Sequence, residues 1–229
     1  MGSSLVERLE RAERQAVADL LFAANSLMVI SAAIDNPAAR RTGGIASSAQ
    51  ELRGRGDRAR SDLIGITATH APVAGDLRLV LALIELAHHC TLLANQFDLI
   101  AEQLGELDPD TRDRVGNGEK LCTMAALASV QVRAATDAFR MRDLKGAERL
   151  DRDDDVLDAL NREICDAVAQ LDSGAEERDL GFRQVLIARS LERIGDNAVD
   201  VGEQTVFVVT GRRTEFSDAS QPGPRILED

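Results

Sequence analysis

The sequence contains no tryptophan, no tyrosine and only six phenylalanines. A core must therefore be built from aliphatic side chains, and alanine and leucine dominate, a composition that leans to helix. Cysteine is equally sparse: Cys90, Cys122 and Cys165 are odd in number and far apart. That excludes a disulfide framework and offers no zinc spacing, so all three are expected to be reduced thiols on apolar helical segments. Positive charge is the minority sign, 27 Lys and Arg against 39 Asp and Glu, for a net charge of −12. Nucleic acid, bound through wholesale phosphate neutralisation, is excluded on those grounds, and an anionic membrane surface is disfavoured. A metal cation or a basic patch on another protein suits the charge better. The plainer alternative is an acidic surface that serves solubility.

Long hydrophobic runs are missing too. The longest uncharged stretch, Leu20 to Ile34, is interrupted by Asn25, Ser26 and Ser31 and falls short of a bilayer, so no direct membrane insertion is expected. Glu7, Arg8, Glu10 and Arg11 interrupt the N-terminus too early for a secretory signal, and a cytoplasmic protein is the expectation. Alternating apolar runs that would signal strands do not occur. No glycine-rich loop leads into Lys-Ser/Thr, and no nucleophile stands in pattern with a base, so the chain does not read as an enzyme. Glu85-x-x-His88 is half of a di-iron signature without its second half, and the adjacent His88 and His89 cannot face the same way on a helix.

What the 229 residues do hold is helical periodicity. Six long helices are predicted: from about Leu5 to Ile34, from the early forties to Thr69, and from beyond Pro72 to Gly105. Three more follow, from about Thr111 to Arg142, from about Gly146 to Leu171, and from about Glu176 to Thr210. Asp108-Pro109-Asp110 marks the clearest boundary. The expected organisation is all-α, two tandem three-helix bundles over residues 1–107 and 108–211, with a disordered tail at 212–229. Glu7/Arg11 and Glu10/Arg14 are expected to pair along the first helix. A shift of 101 residues lays Asn95 on Asp196 and Ala87 on Ala188, so the second half repeats the plan of the first with few identities.

The last predicted helix carries the chemistry. Glu192, Asp196 and Asp200 recur every four residues and form one stripe, where like charges repel by a few tenths of a kcal/mol per pair. Gly181, Ala188, Gly195 and Gly202 recur every seven, a seam of small residues that admits a close neighbour. On the preceding helix Asp154 and Asp158 stand four apart. If the two helices pack antiparallel, four or five carboxylates converge. Oxygen donors without His or Cys suit Mg²⁺, Mn²⁺ or iron, with zinc also admissible; the alternative is a solvated acidic face.

The same residues carry a family resemblance. Leu191-Glu192-Arg193-Ile194-Gly195-Asp196 resembles the signature of the PhoU family of phosphate-uptake regulators. Asp154-x-x-x-Asp158 followed by Leu160, Arg162, Glu163 and Ile164 is similar to that family's preceding acidic motif. Pro72-Val73-Ala74-Gly75-Asp76-Leu77-Arg78 resembles the start of its third helix. The resemblance implies two tandem three-helix bundles and a cytosolic non-enzyme that restrains the phosphate ABC transporter and its sensor histidine kinase. Its partners would be the transporter ATPase and that kinase, with a homodimer left open. It further implies a multinuclear iron or zinc cluster (Mg or Mn being the hard-ion alternatives) at Asp154, Asp158, Glu192 and Asp196. Asp200 is added from the four-residue period. The first half departs from the pattern: Thr91-Leu92-Leu93-Ala94-Asn95 stands where the family has Glu-Arg-Ile-Gly-Asp, so a cluster is expected in the second bundle only. A metal-dependent oxidase or storage bundle and a purely structural helical adaptor are the competing readings.

Overall fold

A computed structural model of the chain describes residues 4–35, 42–107, 115–172, 174–216 and 225–226. It contains six helices: α1 (Leu5–Asp35), α2 (Thr42–His70), α3 (Gly75–Glu106), α4 (Gly118–Met141), α5 (Leu144–Ala169) and α6 (Ala175–Thr210). The expected boundary at Asp108-Pro109-Asp110 lies outside the described residues. The 101-residue shift lays α2 over α5 and α3 over α6 almost end to end, so the repeat is a repeat of helix pairs.

Each helix buries one stripe. In α1 that stripe includes Leu20, Ala23, Ala24, Leu27 and Ile34, all at most 1% exposed. Ser4 caps its start: the Ser4 hydroxyl accepts the Glu7 N–H at 3.3 Å, and the Glu7 carboxylate accepts the Ser4 N–H at 3.1 Å. The cap takes Glu7 away from the expected pairing with Arg11, whereas Arg14 and Glu10 do pair at 3.6 Å. At the other end of the chain, Gly211 closes α6 in the left-handed conformation, its N–H donating to the Phe207 carbonyl.

Helices α1, α3, α4 and α6 pack together at the centre. α2 covers α1 and α3 on one side, and α5 covers α4 and α6 on the other. One apolar core runs through both groups of three, with Phe97, Phe139, Leu86 and Leu191 in it. Polar bonds tie the groups together: Ser129 Oγ donates to the Ala24 carbonyl at 2.8 Å, and His89 Nδ1 lies 2.8 Å from Asn197 Oδ1. α1 and α3 each contain an 18-residue window long and apolar enough to cross a membrane, although no uncharged run in the sequence reaches that length. Here 44% and 50% of those windows are buried against the other helices.

α2 is the helix expected from the early forties to Thr69. α2 runs unbroken through Gly54, Gly56 and Gly65. At Gly56 the reason is close packing, since a Cβ there would stand 2.6 Å from the Ala87 carbonyl of α3. Most of the tail expected to be disordered, 217–224 and 227–229, lies outside the described residues; within the rest, Thr214–Glu215 pairs antiparallel with Arg225–Ile226. The Phe216 N–H donates to Glu203 Oε1 at 2.7 Å, which returns the chain along α6.

Candidate functional site

The seam on α6 is the contact with α5. A Cβ at Gly195 would lie 2.2 Å from Asp154 Oδ1 and 2.7 Å from Leu157 Cδ1. At Gly202 it would lie 2.7 Å from Leu150 Cδ1, and at Gly181 2.9 Å from Val168 Cγ1. α5 and α6 therefore run antiparallel with backbones too close for any side chain at these positions. That approach carries Asp154 across to α6, directly over Gly195.

Four carboxylates gather along this line. Asp154, Asp158, Glu192 and Asp196 act on one another electrostatically. Burial, then its acidic neighbours, push Asp154 up to about 7 against an opposing bond from Gln131. Burial and then Asp196 push Glu192 to about 7, with Arg189 opposing. Asp196, at the exposed edge, is raised by burial of its carboxyl and by Asp158 and Asp200. Asp200 stands one turn further on and faces α3, its Oδ2 4.0 Å from His89 Nδ1, and is raised by burial. Asn197 Nδ2 donates to the Arg193 carbonyl, which turns Asn197 Oδ1 toward His89 and fixes the imidazole proton on Nδ1.

Three of the four acids have a separate tether. Gln131 Nε2 of α4 donates to Asp154 Oδ1 at 2.9 Å, Arg189 pairs with Glu192, and Arg162 lies 3.6 Å from Asp158. Among the described residues no three acid, imidazole or thiol groups stand close enough together, as placed, to hold a metal ion. Two buried acceptors in the groove have no partner, Glu192 Oε2 and Gln131 Oε1. An unpartnered buried carboxylate oxygen costs about 1–3 kcal/mol or more, and a cation drawn to it would relieve that cost. The donor set is all oxygen, and in that respect it fits a hard or borderline cation.

Three members of the site escaped the sequence reading. Glu203 continues the stripe one turn beyond Asp200 and is pushed to about 7, chiefly by burial; its spacing of three from Asp200 could have revealed it. Gln131 on α4 and His89 on α3 arrive from other helices, and no local pattern marks them.

The matching turn of the first bundle is built differently. Arg53 of α2 stands where Asp154 stands in α5 under the 101-residue shift, and Asn95 of α3 stands where Asp196 stands. Arg53 Nη2 donates to Asn95 Oδ1 at 3.0 Å and to Asp98 Oδ2 at 2.7 Å. A guanidinium thus bridges the helix pair where the second bundle presents Asp154 and Asp196. Because Arg53 and Asp98 are 35% and 46% exposed, Arg53→Met is expected to cost no more than about 1 kcal/mol in urea unfolding.

Six helices in two tandem bundles, with an acidic groove on the outer pair of the second, define a class of all-helical proteins. A family model described as the PhoU domain matches residues 121–205, the segment that holds α5, Gln131 and the acidic stripe of α6 through Glu203. The chain belongs to the PhoU family. It is 30% identical over 148 residues to phosphate-specific transport system accessory protein PhoU homolog 1 of Methanothermobacter thermautotrophicus, covering 64% of this chain and 67% of that one. A PhoU homolog of Deinococcus radiodurans is 26% identical over 174 residues, covering 75% and 80%. In fold, the crystal structure of the phosphate transport system regulatory protein PhoU from Streptococcus pneumoniae superposes with a TM-score of 0.76. It is 18% identical, and the match covers 93% of this chain and all of that one.

Proposed function

We propose that this chain is a cytosolic accessory protein of phosphate transport that restrains phosphate uptake and phosphate-starvation signalling by contact, with no chemical step of its own. The observation that carries this reading is membership of a family whose relatives are named phosphate-specific transport system accessory proteins. Its contacts would be the ATPase of the phosphate transporter and the phosphate sensor kinase.

In the same reading the groove between α5 and α6 takes a cation. Asp154, Asp158, Glu192 and Asp196 would hold it, with Asp200 at its edge. Bound there, the cation supplies positive charge that cross-braces the two helices. The chain's own part is to bring the acids together through the glycine seam and to release protons from Asp154 and Glu192 as the ion enters. Deleting the gene, together with any paralogue, is expected to switch on phosphate-starvation genes in phosphate-rich medium. Normal repression in that strain would overturn the regulatory reading.

A further inference from the structure

A hollow of about 360 Å³ opens in the first bundle, lined by residues of α1, α2 and α3. Close-packed interiors leave few voids larger than a water molecule, and sites for small ligands begin at roughly 300 Å³. Leu63, Leu83 and Leu86, each at most 1% exposed, line it together with Cys90. Burial pushes the Cys90 thiol up to about 12, so this wall carries no charge. The internal repeat shows what fills the corresponding place elsewhere in the chain. Under the 101-residue shift that lays α2 over α5 and α3 over α6, Ala59 falls on Leu160 and Cys90 on Leu191. Leu191 is wholly buried in the core, and Leu160 packs against that core. The second bundle therefore sets two isobutyl groups where the first has a methyl and a thiol, and there the first bundle is hollow.

The polar groups around the hollow favour neither sign of charge. Arg11 of α1 and Asp62 of α2, both exposed, border it with opposite charges, and Arg8 is already engaged. Asp19, 1% exposed, also lines the hollow, but its charge is matched internally. Gln15 Nε2 donates to its Oδ1 at 2.8 Å and Arg55 Nη1 at 3.1 Å. A charged head group would face a like charge as well as an opposite one, and would give up hydration to enter. A hydroxyl both donates and accepts, and so suits the carboxylate and the guanidinium together. The residues lining the hollow include no aromatic ring, so a planar ring would find nothing to stack on.

We infer that this hollow binds a small uncharged aliphatic alcohol. Its chain lies against Leu63, Leu83 and Leu86, in the place that Leu160 and Leu191 fill in the second bundle, and its hydroxyl lies at Arg11 and Asp62. Isothermal titration of the full chain with octanol tests the site, with octanoate and octylammonium as contrasting probes. Octanol is expected to bind saturably, one per chain, and each charged analogue at least fivefold more weakly. The double substitution Ala59→Leu and Cys90→Leu gives the first bundle the side chains of the second and is expected to abolish binding. Ala59→Leu alone, at a partly exposed position, is expected to weaken octanol binding at least tenfold. Both variants are checked for native helicity by circular dichroism. Absence of saturable octanol binding to the wild type overturns the inference. So does unchanged octanol affinity in the folded Ala59→Leu variant, or affinity for either charged analogue equal to that for octanol.

Discussion

Supplied with iron(II), zinc(II) or manganese(II) at pH 7.5, the purified chain is expected to take up metal and melt at a higher temperature, and Asp154→Ala and Asp196→Ala each to lose both effects. A ligand that binds only the folded chain stabilises it by about 2.7 kcal/mol at a hundredfold excess over its Kd. For a domain of this size that is a rise of roughly 5–10 °C. The carboxylates set the pH dependence. Asp154, Glu192 and Glu203 are held near 7 in the folded chain, above their ordinary values of 3.8 and 4.5. Between those limits the folded chain carries more protons than the unfolded one. In the metal-free protein these groups are therefore expected to contribute stability that is fully present below about pH 4 and is lost as pH rises through about 7. Cation binding should run the other way, weak at pH 5, where protons hold the acids, and strong at pH 8. Melting curves at both pH values, with and without metal, give four temperatures that must show this crossing pattern. Metal content equal to wild type in both alanine variants would remove the assignment of these residues.

Substitution of Gly195 should produce the second large effect, with a sign opposite to that of helix propensity. Alanine favours an isolated helix over glycine by about 1 kcal/mol. In α6 its Cβ would meet Asp154 Oδ1 at 2.2 Å and Leu157 Cδ1 at 2.7 Å, so α5 must move away. Overpacking of this kind costs about 1–3 kcal/mol, and Gly195→Ala is expected to lower the urea midpoint accordingly. It should also displace Asp154 and reduce metal uptake. Gly65 of α2 provides the control, since a Cβ there meets nothing within 4 Å. Gly65→Ala is expected to raise stability by about 0.5–1 kcal/mol. Two identical substitutions with opposite outcomes separate close packing from propensity.

The periodicities that exposed the fold are local, which is why they could be read from the sequence. The four-residue recurrence of Glu192, Asp196 and Asp200 and the seven-residue recurrence of Gly181, Ala188, Gly195 and Gly202 are properties of one helix. The structure finds both on α6, the glycines against α5. The helix limits follow from the same patterns and agree with α3, α5 and α6 to within a few residues. What escaped depends on which helices meet. Gln131 reaches Asp154 from α4, and His89 reaches Asp200 from α3. Neither residue differs locally from an ordinary helical polar side chain. Arg53 was equally silent until α2 could be laid over α5, and only then did it stand opposite an acidic position.

The central claim is that the chain acts by contact with phosphate-transport machinery. It is tested most directly by measuring binding of the purified full chain to the phosphate transporter's ATPase subunit and to the sensor kinase's cytosolic region. The account predicts a saturable complex with at least one of them. Failure to bind either, with metal supplied and the chain folded, would contradict it.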